Sequence, residues 1–261
     1  RGIVIYRACR GYLIMDDFKQ FDDQRAKNVR DLSTDEALKL IARQFLVQSS
    51  RHNYSYNFDW LGLPIIQFPQ DIIAMQEIIW KVKPDLIIET GIARGGSIIF
   101  YASLLEMLGG KGKVVGIDID IRPHNKAKIK AHPLYKKKKR IVLLEGSSTD
   151  EAIVAQVAKL AKGKKRVLVA FDSNHTYAHV RDELKAYAPF VSKGSYLVVF
   201  DTVIEILPED LVLNRPWRKG NNPKNAVDQF LKNNPDFVVD QDIENKLLIT
   251  VAPSGYLKRI K

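Results

Sequence analysis

The chain has 261 residues, 46% hydrophobic and 27% charged, with a formal net charge of +11. That supports one large α/β domain with a sizeable core, or two small ones, and no apolar run approaches the roughly 20 residues a membrane helix needs. Cys9 is the single cysteine, so no disulfide can form within the chain, which favours a reducing, cytoplasmic setting.

Residues 1–14 are apolar but interrupted by Arg1, Arg7 and Arg10, and no small-residue cleavage site follows. They do not read as a signal peptide, and with Met15 next they are expected to be an upstream extension. Residues 16–32 are polar and charged and are expected to form a loose arm. Ser33-Thr-Asp-Glu36 has the form of a capping box before a helix over 37–45. Residues 49–68 are aromatic and irregular; Pro69 and Asp71 then open a helix over 72–82, which Pro84 stops. This arm and helical extension, 1–83, is expected to precede a domain spanning 84–261 and to cover its site or build a homo-oligomer interface.

From Asp85 onward the pattern predicts strands over 85–90, 113–118, 140–145, 166–171 and 195–200, helices over 96–108, 150–161, 177–190 and 223–233, and two antiparallel closing strands, 236–240 and 246–251. Such alternation predicts an α/β fold with a doubly wound, mostly parallel seven-stranded sheet and an antiparallel C-terminal strand. Five predicted strands end in polar or acidic residues: Glu89, Asp118, Glu145-Gly-Ser147, Asp172 and Asp201. Open α/β sheets bind ligands at those ends.

The first strand runs into Glu89-Thr-Gly-Ile-Ala-Arg-Gly-Gly-Ser97. Gly91, Gly95 and Gly96 are expected to let a ligand approach the backbone, with Arg94 and Ser97 beside it at a helix start. The loop lacks the G-x-G-x-x-G of a nicotinamide dinucleotide site and keeps an acid, which argues for a ligand with a positive group. An acid 27 positions after Gly91, Asp118, suits a ribose diol, although a turn or helix cap would use it as well. Ser147 suits an adenine edge or caps the next helix. Together these residues point to S-adenosylmethionine.

Asp172 and Asp201 end neighbouring predicted strands and suit Mg²⁺, unless one caps a helix and the other orders a loop. An ion there would lower the pKa of a substrate hydroxyl. His175, near Asp172, is expected to be a general base. His179 is four residues on, but no third ligand stands at a zinc spacing. The loop 203–222 reads as a lid, with Trp217 stacking on a sugar or ring and Asn221 and Asn222 beside it as substrate contacts, or with Trp217 simply packing the loop. Lys136 to Arg140 is a run of five bases that reads as a solvated turn; no aromatic-interleaved basic stripe accompanies it, so nucleic acid is not the expected partner.

E-T-G-I-A-R-G-G-S (89–97), G-I-D-I-D-I-R-P-H-N (116–125), E-G-S-S-T-D (145–150), D-S-N-H-T (172–176), P-F-V-S-K-G-S-Y-L-V-V-F-D-T (189–202), N-N-P-K-N-A-V (221–227) and L-L-I-T-V-A-P-S-G-Y-L-K-R (247–259) resemble the cephalosporin hydroxylase family. Despite its name, that family resembles S-adenosylmethionine-dependent O-methyltransferases, with relatives in cephamycin methoxylation and similar enzymes methylating sugars of natural products and surface glycans. The resemblance implies a class I methyltransferase-like Rossmann fold. It implies a cofactor site at Glu89, Gly91, Asp118 and Ser147, a divalent metal on Asp172 and Asp201, and a small-molecule or glycan substrate. Metal-binding relatives carry Glu-Asp where this chain has Phe200-Asp201, so one implied ligand is replaced by an aromatic. That departure keeps open a non-catalytic member that binds the cofactor or a glycan. An NAD-dependent oxidoreductase is the further alternative, against which the missing glycine pattern stands.

Overall fold

Strand alternation decides which face of the sheet each functional residue meets. The computed structural model describes residues 2–261, with side chains from Asp17 onward; Arg1, the Cys9 side chain and the side chains of the expected upstream extension lie outside the described residues. The chain begins with α1 (Gly2–Thr34) and α2 (Glu36–Ser50), then a small hairpin of β1 (Asp59–Trp60) and β2 (Leu63–Pro64), and α3 (Pro69–Val82). There follow β3 (Leu86–Thr90), α4 (Gly96–Leu108), β4 (Lys113–Asp118), α5 (Pro123–Ala131), α6 (Pro133–Lys136) and β5 (Ile141–Glu145). Next come α7 (Glu151–Ala161), β6 (Val167–Phe171), α8 (Tyr177–Tyr187), β7 (Tyr196–Val199), α9 (Pro223–Asn233), β8 (Phe237–Val239), α10 (Gln241–Leu247) and β9 (Tyr256–Arg259).

The main sheet has the order β5-β4-β3-β6-β7-β9-β8, parallel except for β9, which runs antiparallel to β7 and β8. The doubly wound, mostly parallel seven-stranded expectation holds. Along β3, Ile87 packs with α3 and α4 on one face, while Leu86 and Ile88 pack with α7, α8 and α9 on the other. The segment 63–68 and α3 share the first core with the sheet.

Three local expectations are corrected. The loose arm over 16–32 is helical, because Lys19–Asp23, Lys27–Asp31 and Arg25–Asp22 pair along one helix, each such pair giving about 0.2–0.5 kcal/mol. The next helix is capped by Asp35, whose carboxylate accepts from Leu38 N–H at 2.9 Å, rather than by Ser33. Residues 246–251 are no strand: α10 occupies 241–247, and the antiparallel partner is Tyr256–Arg259. The helices α5 and α6 had no sequence counterpart.

The basic run is partly structural. Arg140 is buried, donates to Glu106 Oε2 at 2.6 Å and binds the carbonyls of Gly110 and Gly112. Lys138 pairs with the same Glu106. Among the described residues no helix is long and apolar enough to cross a membrane.

Candidate functional site

The alternation of β3 turns Glu89 toward α4, where it is only 1% exposed. Its Oε2 accepts from Ser97 Oγ at 2.8 Å, and the Tyr101 hydroxyl also bonds it. Burial pushes the Glu89 carboxyl up to about 8, against the pull of those two hydrogen bonds, and the Asp118 charge adds to the rise.

The glycines serve the protein before they serve a ligand. A Cβ on Gly91, whose φ is +83°, would lie 2.0 Å from the Asp172 carbonyl oxygen, and one on Gly96 would lie 2.2 Å from that of Pro64. Gly95, at φ +87°, is pressed against Ile129. Room for close backbone packing, rather than for a ligand alone, is therefore what these positions require. Asp118 braces the same loop: its Oδ2 accepts from Ile92 N–H at 3.0 Å and Ala93 N–H at 3.2 Å, and its Oδ1 from Asp120 N–H. Oδ2 thus has both acceptor positions filled, while Oδ1 keeps one open, which leaves capacity for a hydroxyl. Ser147 contacts Thr149 within its own turn, and Asp150 rather than Ser147 caps α7.

At the ends of β6 and β7 the structure brings together Asp172, His175 and Asp201. One ligand atom from each lies within 4.8 Å of the others. His175 Nε2 is 3.1 Å from Asp201 Oδ2, and Trp217 meets the imidazole edge-on, with ring centroids 4.7 Å apart. Asp201 holds φ +56°, a left-handed conformation that Asp tolerates better than most residues. Burial drives the Asp172 carboxyl well above the usual carboxylate range, with the charges of Asp201 and Glu89 pushing the same way. The two carboxylates offer oxygen ligands that fit a hard divalent cation, with the imidazole standing beside them. Phe200, in place of the implied acid, is buried in the core on the α3 and α4 side. The nearby polar side chains of Asn174 and Glu205 are engaged within their own loops. Asn174 Oδ1 accepts from the N–H and Oγ1 of Thr176, while Glu205 accepts from Gly220 N–H, Asn222 and Asn225, and those bonds outweigh its partial burial and hold its carboxyl low.

The lid reading is redistributed. Trp217 reaches the site, with Arg215 stacked over its ring at 5.3 Å. Asn221 and Asn222 instead hold the loop: Asn221 accepts from Tyr177 N–H and donates to the Pro216 carbonyl, and Asn222 caps α9 and donates to Glu205. His179 turns away from His175 to Ser148 and the buried Glu183, which rules out a shared zinc.

Sequence reading missed two residues. Asp71, at the start of α3, is buried among Thr250, Val251 and Tyr256, and burial, with a contribution from the Asp201 charge, raises its carboxyl to about 6 against their hydrogen bonds. Gln67, in the segment before α3, donates from Nε2 to Asp172 Oδ2 at 3.1 Å, while its Oε1 is buried with no partner. No motif marks either residue; only the folding of 64–71 over the glycine loop does. The cleft between Gln67 and that loop, lined also by Gly91, Arg94, Ser97 and Asp172, measures about 20 Å³. Around it Glu89, Asp118, Asp172, Asp201 and Asp71 gather five carboxyl groups, and among the described residues none of them pairs with Lys or Arg.

A family model described as rhamnosyl O-methyltransferase/CmcI matches residues 52–260. A rhamnosyl O-methyltransferase of Mycobacterium tuberculosis (strain ATCC 25618 / H37Rv) is 30% identical over 224 residues, spanning 82% of this chain and 85% of the relative. One of Mycobacterium leprae (strain TN) is 29% identical over 205 residues, spanning 77% and 82%. A solved structure of CmcI with Mg-SAM superposes with a TM-score of 0.56 at 18% identity, covering 79% of this chain and 78% of that one. The apo-structure of CmcI gives 0.55 at 19%, covering 79% and 77%. At those identities the likeness speaks for the fold.

Proposed function

Because the chain belongs to the rhamnosyl O-methyltransferase/CmcI family, we propose that it is an S-adenosylmethionine-dependent O-methyltransferase acting on a hydroxyl of a sugar or natural product. The observation that carries this reading is the acid-rich pocket beside the glycine loop, whose carboxyl groups pair with no Lys or Arg among the described residues. Buried carboxylates without cationic partners are costly unless the ligand brings the positive charge. S-adenosylmethionine, which carries an ammonium and a sulfonium, supplies the electrophilic methyl group. NAD carries no such cationic pair, and the loop lacks its glycine pattern.

Glu89 and Ser97 sit under the loop on the α4 side, and Asp118 supports it from the β4 side. That arrangement would place a ribose toward Asp118 and Ser147 and the methionine end toward Asp172. Asp201 holds His175 through Nε2, so Nδ1 is the nitrogen free to take the proton of the acceptor hydroxyl, and Asp201 would stabilise the imidazolium that results. A divalent cation, Mg²⁺ in the first instance, would be held by Asp172 and Asp201 and would lower the pKa of that hydroxyl. Trp217 beside His175 would form one wall for the acceptor. Positioning supplies much of the rate in such a transfer.

Thermal shift with S-adenosylmethionine, S-adenosylhomocysteine and NAD tests the cofactor. A ligand at about 100 times its dissociation constant stabilises by roughly 2.7 kcal/mol, a rise of about 5–10 °C for a chain of this size. No rise with either adenosyl ligand would sink the cofactor reading. Methyl transfer to a panel of rhamnosides and other sugar hydroxyls then tests the reaction, and transfer that survives both Asp172→Ala and His175→Ala refutes the catalytic assignment.

A further inference from the structure

We infer that Gln67 recognises the ammonium of the cofactor's amino-acid end while it orients Asp172, an inference that rests on the cofactor reading above. Gln67 is 8% exposed, yet its Oε1 has no hydrogen-bond partner. A buried amide oxygen left unpaired is costly, and such an atom beside a cleft calls for a donor from a ligand. The amide is fixed from the other side, because Nε2 donates to Asp172 Oδ2 at 3.1 Å. Gln67 and Ser97 wall both the cleft at the glycine loop and a smaller one behind it, next to Asp71, Tyr101 and Phe200.

The direction of the cofactor follows from the sheet. Asp118 ends β4, on one side of β3, and Asp172 follows β6, on the other. If the ribose lies toward Asp118, the amino-acid end lies toward Asp172 and Gln67. That end presents N–H donors and a positive charge to Gln67 Oε1 and to the carboxyl groups of Asp172 and Glu89. It also presents a carboxylate, for which the exposed Arg94 stands at the rim of the same cleft. Gln67 and Arg94 would then read the two charges of the zwitterion from opposite sides.

The test compares two adenosyl ligands by calorimetry on the full chain: S-adenosylhomocysteine, which has the amino-acid end, and 5′-methylthioadenosine, which lacks it. Gln67→Met should weaken S-adenosylhomocysteine about 10- to 100-fold, the range for a hydrogen bond to a charged group, and leave methylthioadenosine unchanged. Gln67→Glu keeps an acceptor at that place and should retain the preference for S-adenosylhomocysteine, which also shows that the segment still folds. Equal weakening of both ligands by Gln67→Met, or no weakening of either, would overturn the inference. Wild-type protein that binds neither ligand would instead overturn the cofactor reading itself.

Discussion

Replacing Glu89 with Gln isolates one buried acid and converts its displacement into a measurable slope. Glu89 is 1% exposed, and its carboxyl is pushed from 4.5 to about 8, chiefly by burial. Between those values the folded protein keeps a proton that the unfolded chain has released, so stability falls as pH rises. The loss accrues at about 1.4 kcal/mol per pH unit across an interval of about 3.5 units, which amounts to roughly 5 kcal/mol by pH 8. Gln keeps an acceptor for Ser97 Oγ and removes the titration. Urea unfolding of ligand-free wild type and Glu89→Gln at pH 5.5, 7.0 and 8.5 reads the difference. The variant should gain on the wild type by several kcal/mol across that range, while losing affinity for S-adenosylmethionine because the counter-charge is gone. Parallel stability-versus-pH curves for the two proteins would refute the raised carboxyl and, with it, the view of Glu89 as a buried proton carrier awaiting a cation.

Gly96→Ala should destabilise by about 3 kcal/mol, the upper end for an overpacked site, because its Cβ would fall 2.2 Å from the Pro64 carbonyl oxygen; a melting temperature within 2 °C of wild type would show that the 64–67 segment yields freely. His175→Asn should cut kcat by about 10²- to 10⁴-fold while Mn²⁺ affinity, read by electron paramagnetic resonance, stays within about threefold. Loss of Mn²⁺ binding in that variant would make His175 a ligand rather than the base. Asp172→Asn should weaken Mn²⁺ binding by at least about tenfold, and unchanged binding would remove Asp172 from the metal set. Trp217→Ala should raise KM for the acceptor more than it lowers kcat; the reverse would make the indole a brace for His175 instead of a wall for substrate.

What the sequence made legible follows the local rules. β3, α4, β4 and α9 are bounded by Pro84, Gly95, Gly109 and Pro223, residues whose backbone preferences act over one or two positions. The acids at the strand ends were visible because apolar, buried parallel strands run directly into Glu89, Asp172 and Asp201 on one edge of the sheet. The same rules could not separate α10 from a strand at 246–251, where Leu247, Leu248 and Ile249 satisfy either pattern. They gave Asp71 only as a helix opener and were silent on Gln67, because the partners of both lie more than 100 residues away. Asn221 and Asn222 looked like ligand contacts by type, yet Tyr177, Pro216 and Glu205 absorb their hydrogen bonds. Phe200 was seen as a departure, but only the folded chain shows His175 standing with Asp172 and Asp201.

The cleft beside the glycine loop has a timing consequence. Its roughly 20 Å³ admits about one water molecule and nothing the size of an adenosyl ligand. The walls are unequal. Gly91 is wedged against the main chain of Asp172, where β3 and β6 end side by side, whereas Gly96 abuts Pro64 and Ile65 in a short segment outside the main sheet. If that outer wall is the one that yields, exchange of spent for fresh methyl donor waits for residues 64–67 to lift from α4. Turnover in this enzyme would then be metered by how often that strip of chain opens, and substitutions that loosen the hairpin would speed the cycle while leaving the methyl-transfer step untouched.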